Sequence, residues 1–333
     1  MKYLVTGATG FVGGRLARRL VADGHAVVAL VRDPGRAGEL AALGVDVRRG
    51  DVTAPHSLAG PMRGVDGVFH VAGWYRIGAR TAAERRAAWA INLEGSRHVF
   101  AAMAAAGVPK GIYTSTLAVY GDTRGAAPDE SHAAPPRLVT LYDRTKHAAH
   151  HEAAVPAIRG GLPLVIVQPG LIYGPGDTSS VRVMLRRYLR RRLPLVPRGT
   201  AYCWAHVDDV VEGHVRAMER GRPGECYHLA GPRHTLVEAL ALCERLTGVP
   251  GPRVALGPAW LRAMAAIARL VEPVVPLPPG YTSEGLRVVA GVTYLGDASK
   301  ARRELGWSAR PLEQGLREVL FDEMRALGMT PPV

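Results

Sequence analysis

Only three cysteines occur in the 333-residue chain, Cys203, Cys226 and Cys243. An odd number without ligand spacing excludes a disulfide framework and a cysteine-based metal module. Small buried thiols in a reducing cytoplasm are expected instead, and no metal site. Lysine is almost absent: Lys2, Lys110, Lys146 and Lys300 are the whole set, so the net charge of +13 is carried by arginine. Aromatic residues make up 6% of the chain, and none interleave with the dispersed arginines as a base-stacking surface requires. Nucleic acid is therefore not an expected partner. Long apolar runs are also missing. The most apolar late stretch, Ala259 to Leu277, is broken by Arg262, Arg269, Glu272, Pro273 and Pro276. It cannot span a bilayer, and no membrane partner is expected. No secretory pattern leads the chain, because Met1 runs through Lys2 into Tyr3-Leu4-Val5 and a glycine turn. A cytoplasmic protein is expected.

What is present reads as a globular α/β chain with 47% hydrophobic residues, long enough for one large domain or two coupled ones. Short β-branched runs alternate with helical patterns through the first half, the signature of a doubly wound parallel sheet of Rossmann type. Strands are expected at Tyr3–Val5, Ala26–Val31, Val45–Arg48, Val68–Val71, Gly111–Ser115 and Leu164–Val167. Helices are expected over Arg15–Asp23, Ile91–Ala106 and Leu141–Val155. After residue 170 the rhythm breaks into proline–glycine clusters with helical patterns between them. The expected division is a nucleotide-binding domain from residues 1–168 and 204–230. Residues 169–203 and 231–333 would form a second, smaller and mostly helical lobe that holds substrate.

The run Thr6-Gly7-Ala8-Thr9-Gly10-Phe11-Val12-Gly13 follows a predicted strand and opens a predicted helix. In that setting Gly7 permits a tight turn, Gly10 lets the backbone approach a pyrophosphate, and Gly13 lets the helix lie against the sheet. The helix N-terminus then offers N–H groups to negative charge. Thr9, Phe11 and Val12 belong to the same turn. The second strand ends in Val31-Arg32-Asp33-Pro34. Arg32 there is suited to fork onto a 2′-phosphate, which favours NADP; Asp33, one residue on, keeps NAD open, since a carboxylate at this place selects the ribose hydroxyls. Asp51 and Val52 follow the third strand, and Val71, Ala72 and Gly73 the fourth. Asn92 opens a helix and reads equally as a cofactor contact or a structural amide. Thr114, at the end of the fifth strand, and Pro169, Gly170 and Ile172, after the sixth, complete the expected cofactor set.

The fifth strand runs into Tyr113-Thr114-Ser115-Thr116, at the carboxyl end where ligands gather. Farther along comes Tyr142-Asp143-Arg144-Thr145-Lys146, whose ends lie four apart and share a helix face. A phenol beside an ammonium can exchange a proton with a substrate oxygen while hydride moves at carbon, because the cation lowers the phenol's pKa. Thr116 would donate a hydrogen bond to that oxygen, and Tyr142 and Lys146 would also touch the cofactor. Candidate substrate contacts are Trp74, Tyr75, Thr116, Asp177, Met184 and Trp204.

These pieces together resemble the extended short-chain dehydrogenase/reductase superfamily, the epimerase/dehydratase-like group. The matching segments are residues 6–13, Phe69-His70-Val71-Ala72-Gly73, Asn92, Ser115-Thr116, Tyr142 with Lys146, Tyr173-Gly174-Pro175-Gly176-Asp177 and His206-Val207-Asp208-Asp209-Val210. Val31–Pro34, Trp74-Tyr75-Arg76 and Lys300–Trp307 look like the dihydroflavonol-reductase-like and hopanoid-associated branch. The resemblance implies an NADP-dependent reductase or dehydrogenase with Thr116, Tyr142 and Lys146 as the catalytic trio, working as a homodimer on a small-molecule substrate. Departures narrow the chemistry. Leu117 and Ala118 stand where dehydratases carry acids, so elimination is not expected. Leu171 and Gln168 replace an Asn and an Arg that grip sugar nucleotides. The alternative, a nucleotide-sugar epimerase with tightly held NAD, would use the same Tyr and Lys.

Other polar clusters have plainer readings. Arg182, Arg186, Arg187, Arg190, Arg191 and Arg192 are expected as the solvated back of an amphipathic helix. His206, Asp208 and Asp209 are expected to pack the lobes together. His150, His151 and Glu130 are expected at the surface.

Overall fold

The computed structural model describes residues 1–79, 81–133 and 136–332; Val333, the end of the expected 231–333 segment, lies outside them. Six strands occupy the first half: β1 (Lys2–Thr6), β2 (Ala26–Val31), β3 (Asp46–Arg49), β4 (Gly67–His70), β5 (Gly111–Thr114) and β6 (Leu164–Pro169). Then come β7 (Leu171–Tyr173), β8 (Leu195–Pro197), β9 (Ala201–His206), β10 (Cys226–Leu229), β11 (Arg233–Thr235), β12 (Val254–Leu256) and β13 (Thr293–Tyr294). The main sheet runs β10-β6-β5-β4-β1-β2-β3, and every neighbouring pair in it is parallel. Apart from the mostly exposed edge strand β3, its strands are buried on both faces, which is why they read as continuous apolar runs such as Leu164-Val165-Ile166-Val167. Chain order reverses between β1 and β4, so a crevice opens there at the carboxyl ends of the strands.

The seventh strand, β10, was not expected from the sequence. Cys226-Tyr227-His228-Leu229 alternates too little to declare itself, and it takes its place only by pairing with β6. The lobe that follows β6 is not helical alone. It carries a second sheet, in which β9 pairs with β11, β13 and β7, and a two-stranded pair, β12 with β8.

Two helices hold irregular turns. The segment before β5 is helical over Ala82–Trp89 and Gly95–Ala105, with a wide π turn at Ala90–Glu94 between them. The helix that starts at Leu141 widens in the same way over Ala149–Ala154 before closing at Val155–Arg159. The two π turns touch each other. Each inserts a residue into the 3.6 period and rotates what lies on it. The consequence shows at His150, expected at the surface. It is buried, and its Nδ1 meets the Ser115 hydroxyl at 3.1 Å. His151, its neighbour, is exposed as expected.

Glu130 also departs from expectation. Its carboxylate is half-buried and accepts the His228 backbone N–H at 2.8 Å. The arginine helix behaves as a stripe with a basic back, Val181, Leu185, Tyr188 and Leu189 facing the core. Arg182 and Arg186 on it pair with the buried Glu323. Asp208 pairs with Arg15 at 2.8 Å within the first domain, and Asp209 reaches across to Arg310 of the other lobe at 2.8 Å. His206, Asp208 and Glu318 approach within 4.8 Å of one another, but Arg15 and Arg310 already neutralise the two carboxylates.

Candidate active site

The glycine turn after β1 holds its shape for steric reasons. Gly7 sits at φ +73, and a Cβ there would lie 2.8 Å from the Ala72 nitrogen. A Cβ at Gly13 would lie 2.3 Å from the Gly7 carbonyl oxygen, so the first helix can approach only because that residue has no side chain. This helix, Phe11–Ala22, begins four residues earlier than its apolar pattern indicated. Gly10 is its cap, no side chain satisfies its first amides, and no acid stands in its first turn. The turn thus leaves an uncapped helix N-terminus facing the β1–β4 crevice, with Thr9 and Gly10 exposed. A dinucleotide pyrophosphate fits such a place by charge and by backbone access. Phe11 and Val12 are partly exposed beside it, as are Val71 and Ala72 at the end of β4.

At the end of β2, Arg32 is exposed and has no ion-pair partner among the described residues. The Asp33 carboxylate is occupied, accepting the Gly35 N–H at 3.0 Å and capping a short 3-10 turn. Asp51 is likewise turned onto Thr53, from which it accepts both the backbone N–H and the hydroxyl hydrogen bond. Val52 is buried, and its carbonyl meets His98 Nδ1 at 3.0 Å.

Beneath this crevice lies a continuous polar chain. Thr6 accepts the Ala72 N–H at 3.1 Å, and its hydroxyl meets His70 Nδ1 at 2.9 Å. His70 Nε2 meets the Ser96 hydroxyl at 3.1 Å, and Ser96 donates to the Asn92 carbonyl at 2.6 Å. These bonds assign the proton to Nε2 of His70. Burial pushes its pKa down to about 3, so the ring is neutral. The Asn92 side chain, 1% exposed, accepts the Trp74 N–H at 2.7 Å and donates to the Trp74 carbonyl and the Thr145 hydroxyl. The structural reading of Asn92 is the one its bonds support: it ties the loop after β4 to the Tyr142 helix.

That helix starts where it does because Thr140 and Asp143 cap it reciprocally, and Asp143 also accepts the Val139 N–H and the Tyr294 hydroxyl. The cap fixes the phase that puts Tyr142 and Lys146 on one face. Lys146, 5% exposed, donates to the Thr114 carbonyl at 2.7 Å and the Tyr113 hydroxyl at 3.2 Å, and lies 4.7 Å over the Tyr113 ring. Burial lowers its pKa to about 7. Tyr142 is partly exposed as a residue, and its phenol lies beside the Thr116 hydroxyl. Burial of its phenol, more than any neighbouring charge, raises its pKa well above the ordinary range. Lys146 is not among the charges acting on this phenol; the expected lowering pairs it with an oxidised nicotinamide. Gln168 is buried behind the trio, its amide reaching the Thr116 carbonyl at 3.5 Å and accepting from Tyr120 at 3.3 Å. Thr114 and His214 meet at 2.8 Å behind Lys146. Pro169 is buried at the end of β6, with Gly170 and Ile172 partly exposed.

The expected substrate contacts divide. Tyr75, 46% exposed, sets its ring edge-on to Tyr142 at 4.9 Å, and Trp74 is partly exposed beside it. Met184 is half-buried against the lobe core. Trp204 must be corrected: its indole is fully buried in that core and donates to the His234 carbonyl at 3.1 Å. Asp177 is also no open contact; it is buried and caps the Ser180–Leu189 helix region through Ser179. Two residues of the site escaped the sequence. Tyr202 stacks on Tyr294 at 5.9 Å, and burial first, with Tyr75 and Asp143 nearby, pushes its phenol pKa up. Glu284 accepts the Gly78 N–H at 2.9 Å and the Leu141 N–H at 3.1 Å, joining the loop after β4 to the Tyr142 helix. Neither has a local signal, because both arrive from the distant C-terminal lobe.

Residues 3–230 match the NAD dependent epimerase/dehydratase family. The chain belongs to that family. A Synechocystis sp. protein named as a dihydroflavonol 4-reductase is 34% identical, with 96% of this chain and 93% of that one covered. Sterol demethylase protein B of Methylococcus capsulatus is 32% identical over 92% of this chain and 93% of its own. A solved nucleoside-diphosphate-sugar epimerase from Pseudomonas aeruginosa superposes with TM-score 0.79 at 27% identity, covering 99% of each chain. The chain is thus an enzyme of the extended short-chain dehydrogenase/reductase type, similar to both reductases and epimerases.

Proposed function

We propose that the protein is an NADP-dependent oxidoreductase that moves hydride between nicotinamide and a carbonyl or alcohol substrate, with Tyr142 exchanging the proton on oxygen. The observation that carries this reading is the Tyr142 phenol, buried beside the Thr116 hydroxyl and on the helix face of a buried Lys146. The cofactor supplies or takes the hydride. Tyr142, held protonated by burial, is in the state that delivers a proton to a substrate oxygen as reduction makes it basic. Thr116 shares its hydroxyl between that phenol and the substrate oxygen, and Gln168 fixes the Thr116 backbone. Lys146, anchored on the Thr114 carbonyl, lies on the helix face of the phenol and is the residue to hold the ribose hydroxyls.

The free Arg32 guanidinium and the diverted Asp33 carboxylate support NADP over NAD. A mouth edged by Trp74, Tyr75 and Tyr202 supports a substrate with a large uncharged face. The relative named sterol demethylase protein B fits that reading.

The test is steady-state NADPH and NADH oxidation over a panel of ketones and aldehydes. NADPH consumption is expected. In Tyr142→Phe, kcat should fall roughly 10²- to 10⁴-fold without a change in melting temperature. Arg32→Ala should raise KM for NADPH about tenfold or more and leave NADH little changed. Protein that retains NAD through purification and consumes neither cofactor would move the assignment to an epimerase.

A further inference from the structure

The helix Pro258–Val271 packs one face on Ser283–Val288 through Leu261, Ala265 and Ala268, and leaves the other uncovered. Trp260 is 70% exposed, Ile267 62%, Leu270 79% and Val274, just beyond the helix, 84%. Together with Ala263 these positions recur every three or four residues, so they form one apolar stripe, roughly 21 Å long at 1.5 Å per residue. Val275 and Tyr281 extend it along the proline-rich strap that follows, both more than 40% exposed.

One flank of the stripe is basic. Arg262 and Arg269 are exposed on the helix, Arg253 precedes it, and none has an ion-pair partner among the described residues. The only acid between residues 251 and 281 is Glu272, and it is consumed by the Ser283 backbone N–H and hydroxyl. An apolar stripe bordered by unpaired arginines, with a tryptophan at one end, matches an anionic lipid surface in both hydrophobicity and charge. A second copy of the chain matches poorly. Two such helices face to face would bring four guanidinium groups together with no carboxylate of the helix to meet them.

We propose that this helix and the strap after it form a docking surface for an anionic phospholipid bilayer. The absence of a spanning run, on which the sequence expectation of no membrane partner rested, has no bearing on a helix that lies in the interface. The surface adjoins the active-site mouth, since Glu284 on the helix it packs against holds Gly78 and Leu141. An apolar substrate dissolved in lipid would therefore be met close to Tyr142.

Co-sedimentation of the full chain with vesicles tests this, using phosphatidylcholine alone and phosphatidylcholine containing about one-third phosphatidylglycerol. Binding to the anionic vesicles, weakened by high salt, is expected. Ile267→Asp with Leu270→Asp should weaken it about tenfold or more, and Arg262→Ala with Arg269→Ala several-fold. Tyr142→Phe should bind like the native chain, so the proposal stands or falls apart from the catalytic reading. Brominated lipids should quench fluorescence in the native chain and much less in Trp260→Phe, a check independent of whether the aspartate variant folds. Native protein left in the supernatant of both vesicle types would overturn the proposal. So would undiminished binding by a folded Ile267→Asp/Leu270→Asp variant, or light scattering that shows the stripe consumed in a dimer.

Discussion

The floor and the roof of the site are built differently. Below the crevice, Thr6, His70, Ser96, Asn92 and Thr145 form a buried chain in which polar atoms find partners at 2.6–3.1 Å. Above it, Tyr75 stands 46% exposed, and the lobe reaches the mouth through the Glu284 carboxylate and the Tyr202 and Tyr294 rings. A buried polar chain tolerates no loss, because a deleted partner leaves others desolvated and unpaired. An aromatic rim tolerates change, because its contacts are areas and not directed bonds. On the function proposed above, proton exchange falls to the rigid part and substrate fit to the adaptable one.

The sharpest way to break the contrast is Asn92→Ala. It strands the Trp74 backbone groups and the Thr145 hydroxyl. A loss on the order of 3 kcal/mol in urea unfolding is expected, with activity falling alongside. A loss below about 0.5 kcal/mol would show that the chain is ornamental.

The second test is pH. Burial lowers the pKa of His70 and His150 to about 3 and of His214 and His228 to about 4, from 6.5 in the unfolded chain. The neutral form is the one the fold favours. This contribution is complete above about pH 6.5 and is lost as pH falls toward 4 and then 3. The urea midpoint should therefore drop steeply below pH 6; a flat profile down to pH 4.5 would contradict the neutral, buried histidines.

The smallest effect is expected at the roof. Arg144→Gln removes the charge that faces Glu284 at 3.9 Å and leaves the Glu284 hydrogen bonds to Gly78 and Leu141 in place. KM for substrate should rise only a few-fold with kcat near native, since an exposed pair of this kind is worth about 1 kcal/mol or less.

The floor was more legible in the sequence than the roof. Gly7, Gly10 and Gly13 declare themselves by spacing after a strand, and Ala26–Val31 appears with its observed bounds. Tyr142 and Lys146 need only the helix period, and Thr140 with Asp143 fixes that period. Asn92 and His150 were harder because both lie on π turns, which a 3.6-residue reading cannot foresee. Trp204 went astray for another reason. A large aromatic in a strand after the sheet looks like a pocket wall, and only the packing of β11 and the Leu236–Thr247 helix shows it to be core. Tyr202 and Glu284 carry no local pattern at all; tertiary contact alone brings them to Tyr75 and Leu141.

The most direct measurement is the fate of deuterium from NADPH labelled at the nicotinamide C4 position, followed by mass spectrometry of the products from a ketone panel. One deuterium on the new carbinol carbon is the expected result, abolished together with turnover in Tyr142→Phe. Products free of deuterium, with substrate merely inverted and NAD still bound, would contradict a net reductase built on this floor.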